Sequence, residues 1–147
     1  MRNVQIVPLQ NYDRAEVGRM LNEYSKSGEI CKPMEFLHDE NTAIFIVADG
    51  RIAVGMIRAT RKLWRECHGK VGISIRPSLR GSGYGAAALS ALKWDDESVP
   101  TACVDVNNIR SIRMFEGAGW VRSGRMFDWK GNRKAVEFVN FQMTGVR

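Results

Sequence analysis

Val71-Gly72-Ile73-Ser74-Ile75-Arg76-Pro77-Ser78-Leu79-Arg80-Gly81-Ser82-Gly83-Tyr84-Gly85 is the stretch on which the fold turns. Lys70 to Arg76 alternates like a strand, and Pro77, which fixes its own φ and disfavours a helical residue before it, closes it. The next segment carries three glycines in five positions, and Gly85 opens Ala86-Ala87-Ala88-Leu89-Ser90-Ala91-Leu92-Lys93-Trp94, an unbroken run of good helix formers. A strand therefore passes into a helix through a glycine-rich loop. Glycine lets the backbone turn and approach a ligand closely, and the unpaired N–H groups of a first helical turn favour an anion. Arg80 adds a planar fork of donors at the mouth of this cradle, which suits a pyrophosphate. A merely structural turn needs neither the flexibility nor the arginine. A Walker-type loop is disfavoured because no Gly-Lys-Ser/Thr follows, and a dinucleotide fingerprint because the G-x-G-x-x-G spacing and a following acidic strand end are missing.

On the C-terminal side, Val99 to Val106 reads as a strand. Asn108 to Glu116 reads as a helix ending at Gly117 and Gly119, and Trp120 to Trp129 with Lys134 to Met143 as a hairpin around Lys130-Gly131-Asn132-Arg133. On the N-terminal side, Thr42 to Ala48, the turn pair Asp49-Gly50 and Ile52 to Thr60 form a hairpin. Val4 to Leu9 alternates and ends near Pro8, as an edge strand does. Tyr12, Ala15, Val17, Met20, Leu21 and Tyr24 share one helical face, with a stop at Ser25 to Gly28. Pro33 marks the first turn of a second, short helix within Glu29 to His38, and Arg61 to Gly69 reads as a connecting loop or a strand extension. The order is β-α-α-β-β-β-α-β-α-β-β, a mixed α/β sheet in a single domain spanning residues 1–147.

The bulk properties narrow the function. Cys31, Cys67 and Cys103 are widely spaced and His38 and His68 lack partners at ligand spacing, so no disulfide framework, zinc site or other metal is expected. No apolar run approaches the roughly 20 residues of a membrane span, and Met1-Arg2-Asn3-Val4-Gln5 runs straight into strand patterning, so a cytoplasmic location is expected. The net charge of +6 favours anionic ligands. Because the basic residues are spread along the chain instead of forming a stripe with aromatics, a phosphorylated small molecule suits that charge better than nucleic acid.

Arg80, Gly83 and Gly85 match the Arg/Gln-x-x-Gly-x-Gly/Ala signature of the GNAT superfamily of acyl-CoA-dependent N-acetyltransferases, and the chain resembles that family over nearly its whole length. Asn108-Ile109-Arg110-Ser111-Ile112-Arg113-Met114-Phe115-Glu116-Gly117-Ala118-Gly119-Trp120 resembles its second block. The resemblance implies a splayed sheet, with acetyl-CoA as co-substrate lying between Ile73, Ser74 and Ile75 on one side and Val104 to Val106 on the other. It also implies a pyrophosphate held by the amides of Arg80, Gly81, Ser82, Gly83, Tyr84 and Gly85. Asn108 would bond the pantetheine arm, with Ser111 one turn later; as a helix N-cap, Asn108 has a second role compatible with the first. Arg110 and Arg113 are either phosphate contacts or solvated charges on an outer helix face.

Acetyl transfer to a primary amine requires proton removal, oxyanion stabilisation and protonation of the leaving thiolate. The family's usual acid, a tyrosine, aligns with Phe115, so the acid is unassigned and Tyr84 is expected to point elsewhere. Asp105 is the leading candidate base and Glu66 the next, each equally readable as a substrate-positioning or plain surface charge. Cys103, on the strand face of Asp105, reads as a packed thiol. The acceptor is a small-molecule or peptide amine of unspecified kind, and the oligomeric state is open, a homodimer included. A non-catalytic acyl-CoA-binding module is the alternative, prompted by Phe115, and a nucleic-acid-binding domain, prompted by the charge, is the third reading.

Overall fold

The computed structural model describes residues 2–29, 33–36, 39–61, 69–94, 98–128 and 131–143. Among the described residues seven strands and three α-helices follow in order: β1 (Gln5–Pro8), α1 (Arg14–Lys26), β2 (Thr42–Asp49), β3 (Ile52–Thr60), β4 (Val71–Ile75), α2 (Tyr84–Ala91), β5 (Thr101–Asp105), α3 (Ile109–Gly117), β6 (Val121–Asp128) and β7 (Lys134–Val139). The second helix expected near Pro33 is a 3-10 turn, Pro33–Phe36. The helix after the glycine loop stops three residues earlier than its composition suggested, because Leu92 adopts extended angles, φ −66° and ψ 129°.

The strands form two antiparallel sheets, β1-β2-β3-β4 and β5-β7-β6. They touch at one corner, where Gly69 bridges Ala102 and the Lys70 amide donates to the Thr101 carbonyl at 2.8 Å. Gly69 has φ +66°, and a Cβ there would lie 2.7 Å from the Ala102 Cα, so only glycine permits that approach. Beyond this corner β4 and β5 pair with other strands, and the sheet splays. Arg76 N donates to Val54 O at 2.8 Å and Thr60 N to Lys70 O at 2.7 Å. With the β3–β4 register, these bonds direct the even-numbered residues of β4 toward β3. The N–H and C=O groups of Ile73 and Ile75 consequently face the gap.

Two apolar clusters pack on opposite faces of the larger sheet. Val47, Ile57, Leu89, Trp120 and Phe138 belong to the one beneath α2 and α3, and Met20, Tyr24, Ile46 and Met56 to the one beneath α1. Each helix thereby buries one face against the sheet, and the starts of α2 and α3 line the gap. Among the described residues no helix is long and apolar enough to cross a membrane.

Candidate functional site

The glycine loop gives α2 an open N-terminus. Gly83 is its N-cap at φ +87° and ψ 3°, and having no side chain it makes no capping bond. Gly81, at φ +80°, is a second left-handed turn position. The first amides of α2 have no intrahelical acceptor by helix geometry, so the exposed Gly81-Ser82-Gly83 arc and the start of α2 present donors at the positive end of the helix dipole. Gly85 serves packing instead: a Cβ there would fall 2.1 Å from Met114 Sδ, so the Met114 side chain of α3 lies against the bare backbone of α2.

The side chains around the loop brace it. Arg80 Nε donates to the Ile75 carbonyl at 2.9 Å and Nη2 to Glu29 Oε1 at 2.6 Å. The guanidinium thus ties the loop to the end of β4 and to the residue beyond α1. Burial would push the Glu29 carboxyl up, but the bonds from Arg80 and Ser27 outweigh it and hold the group below its ordinary range. Tyr84 turns away from the cradle, donating to Asp49 in the β2–β3 hairpin while Arg2 stacks on its ring at 4.7 Å. The bond to Asp49, then burial, raises the Tyr84 phenol above its usual value, and it remains a protonated donor near neutrality. Arg2 Nε also donates to the Ser82 carbonyl at 3.1 Å.

From the loop a cleft of about 670 Å³ runs between β4 and the start of α3, lined among others by Ile73, Ile75, Gly83, Asn108, Ser111 and Arg113. Ser74 also lines it, but its carbonyl accepts from Tyr24 Oη at 2.9 Å and its backbone belongs to the β3 ladder. Asn108 caps α3, its Oδ1 accepting from the Ser111 amide at 3.2 Å. A second cleft, about 660 Å³, lies across the gap and includes Arg58, Gly72, Cys103, Asp105, Phe115 and Arg133 in its walls. Ile73, Asn107, Asn108 and Ser111 line both clefts, so the two meet at the splay.

The expected site residues thus gather around the two clefts, Tyr84 included, its hydroxyl facing the hairpin as expected; Ser82 lines neither cleft but an adjoining hollow with Arg2, and Glu66 lies outside the described residues together with Cys31, Cys67, His38 and His68. Asp105 stands at the wall of the second cleft. One of its carboxylate oxygens accepts from the Asn107 amide at 2.9 Å and the other sits 3.4 Å from Arg133. Phe115 is core: it meets Trp120 edge-on at 5.2 Å and stacks on Phe138 at 5.7 Å. Its ring nevertheless reaches the cleft wall, where it offers no proton. Among the described residues no cluster of His, Cys, Asp and Glu is arranged to hold a metal.

Three features escaped the sequence reading. Glu16 sits four residues before Met20 and eight before Tyr24, on the buried face of α1. That helical spacing was the available signal. Its carboxylate accepts from the Ala53 amide at 2.7 Å, from Arg19 Nε at 2.9 Å and from Arg76 Nη1 at 3.4 Å. Glu23, on the same helix, accepts from Arg76 Nε and from the Ser78 amide, both at 3.2 Å, so α1 grips the segment leading into the glycine loop. Arg58 is the lone charge in the apolar strand β3, and that isolation was its signal.

The family model described as "Acetyltransferase (GNAT) family" matches residues 10–120. Among solved structures, spermidine N-acetyltransferase from Vibrio cholerae in complex with CoA and spermine is similar at 14% identity and a TM-score of 0.71, covering 98% of each chain. The N-acetyltransferase PseH of Campylobacter jejuni in complex with acetyl coenzyme A is similar at 17% identity and a TM-score of 0.57, covering 92% of this chain and 97% of that one. No curated protein sequence matches the chain.

Proposed function

Since the chain belongs to the GNAT acetyltransferase family, we propose that it moves the acetyl group of acetyl-CoA to the primary amine of a small molecule or peptide at the junction of its two clefts. The carrying observation is the uncapped N-terminus of α2 opening onto a cleft that runs along the free edge of β4. A pyrophosphate matches the first feature, through the amides of residues 80 to 85. An amide-bearing arm matches the second, because the Ile73 N–H and C=O and the Ile75 N–H face the gap while Arg80 takes the Ile75 carbonyl. Asn108 and Ser111, on the opposite wall, are within the same groove. The solved relatives were crystallised with CoA and with acetyl coenzyme A, which supports this choice of co-substrate, and a cytoplasmic setting suits it.

In this reading the acetyl-bearing end reaches the splay and the amine arrives from the second cleft. The amine attacks the carbonyl carbon, the bond to sulfur breaks, and the thiolate leaves. Asp105 is the carboxylate at that wall and the candidate to take the amine's proton, directly or through water. Phe115 offers no proton, so water protonates the thiolate, a weak enough base for this to be undemanding. Amine-dependent release of free thiol, with the acetylated amine identified by mass spectrometry, tests the reading. Tight acetyl-CoA binding without thiol release across a broad amine panel would replace it with a non-catalytic acyl-CoA-binding module.

A further inference from the structure

On the transferase reading, on which this inference rests, acetyl-CoA brings more phosphate than the glycine loop answers. Residues 80 to 85 suit its pyrophosphate, but the ribose that carries the pyrophosphate on its 5′ carbon carries a further phosphate on its 3′ oxygen. The two groups are separated by one sugar, so a second contact for an anion is expected close to the Gly81-Ser82-Gly83 arc. Arg2 stands there. The β1–β2 register pairs Gln5 with Ala48, and the residues before Gln5 run on past that pair toward Asp49 and the glycine loop. The Arg2 guanidinium stacks on the Tyr84 ring at 4.7 Å, its Nη1 donates to Tyr84 Oη at 3.3 Å and its Nε to the Ser82 carbonyl at 3.1 Å. The Tyr84 hydroxyl is itself fixed by the bond it gives Asp49. An exposed side chain next to the chain terminus is thereby held in one place, which lowers the ordering cost of gripping a ligand. These bonds engage Nε and Nη1 and leave Nη2 for a further acceptor.

The space beside Arg2 suits the rest of the nucleotide. Arg2 lines a hollow of about 430 Å³ with Ser82, Gly83, Ala86, Ala87 and Gly117 among others. Gly83 and Ala86 also line the cleft along β4, so the hollow continues that cleft past the N-terminus of α2. Its small residues leave room for a sugar and a flat ring to rest against α2. A guanidinium and a phosphate match in charge and in planar donor geometry. We propose that Arg2 binds the 3′-phosphate of acetyl-CoA and that the hollow beside it receives the nucleotide end, so that this chain distinguishes acetyl-CoA from its 3′-dephospho form.

Calorimetric titration of the full chain with acetyl-CoA and with 3′-dephospho-acetyl-CoA tests this without an amine. At low ionic strength, where an exposed ion pair is least screened, the parent should bind acetyl-CoA about fivefold or more tighter than the dephospho form. Arg2→Gln should bring the two affinities to within about twofold of each other. Because Arg2 also bonds the Ser82 carbonyl, a merely structural loss would weaken both ligands alike and leave their ratio in place. Arg2→Lys keeps the charge without the fork and should keep part of the ratio, and it decides the matter if the glutamine variant does not fold. Equal affinities in the parent, or a ratio that survives in folded Arg2→Gln, would overturn the proposal, and binding of both forms would leave the transferase reading standing. A ratio lost in Arg113→Gln and kept in Arg2→Gln would likewise overturn it and assign the phosphate to α3. A folded parent that binds neither form would remove both readings.

Discussion

Replacing Arg76 by methionine removes the cation that joins α1 to the strand end before the glycine loop. Its Nη1 bonds Glu16 at 3.4 Å and the Ala53 carbonyl at 3.2 Å, and its Nε bonds Glu23 at 3.2 Å. The Glu16 side chain is 8% exposed and that of Arg76 17%. Breaking such a buried pair by removing one partner costs about 3–5 kcal/mol. Glu16 keeps the Ala53 amide and Arg19 after the change, so a smaller loss than that range, about 2–3 kcal/mol, is expected. At about 2–4 °C per kcal/mol for a domain of this size, the melting temperature should fall by about 5–10 °C.

The effect has a pH signature. Burial would raise both the Glu16 and Glu23 carboxyls, yet the bonds from Ala53, Ser78, Arg19 and Arg76 outweigh it and hold both below their ordinary values. A group whose folded value is depressed stabilises above its unfolded value and loses that contribution as pH falls through the folded value. The gap between parent and Arg76→Met should therefore be full at neutral pH and shrink as acid protonates the two glutamates. Urea unfolding of both proteins from neutral pH down to about pH 3, below the ordinary carboxylate range, measures it. Equal stability at neutral pH, or a gap that does not change with pH, would refute the reasoning.

Three further outcomes follow from the site. Asn108→Ala should lose about 1 kcal/mol of stability through the α3 cap, while Asn108→Ser keeps the cap; weaker acetyl-CoA binding in the stable serine variant identifies a cofactor contact separate from capping. Tyr84→Phe should leave kcat within about twofold of the parent, since the hydroxyl bonds Asp49 and not the cleft; a loss of about a hundredfold or more would make this phenol the missing acid. Asp105→Asn keeps the acceptor oxygen for the Asn107 amide and should lower kcat about a hundredfold with acetyl-CoA binding intact; unchanged kcat at saturating amine would leave Asp105 a positioning group or a plain surface charge.

Much of this architecture was legible because its signals are local. The Asp49-Gly50 turn between two β-forming runs fixed a hairpin that the structure shows as β2 and β3, and the strand, Pro77 and glycine sequence placed the α2 N-terminus. Boundaries were less legible where tertiary packing decides: Leu92 has helical propensity but turns extended and buries its side chain in the main cluster. The splay was expected from the family resemblance, and the corner from which it opens, the close approach of Gly69 to Ala102, joins residues far apart in sequence. For the same reason Arg80 was read as a donor aimed at phosphate, whereas its fork is engaged by Ile75 and Glu29. Glu29 is distant along the chain, and pairing of that kind leaves no periodic trace.

Calorimetric titration with acetyl-CoA, on the parent and on Gly83→Trp, tests the central claim most directly. Gly83 is exposed, and its Cβ position has only Arg2 Cγ nearby, at 4.0 Å. The substitution therefore adds a left-handed penalty of about 1–2 kcal/mol and fills the cradle without disturbing the core. Micromolar or tighter one-to-one binding by the parent, abolished in a folded variant, is the expected result. A well-folded parent that binds no acetyl-CoA, or a variant that binds it as the parent does, would contradict the account.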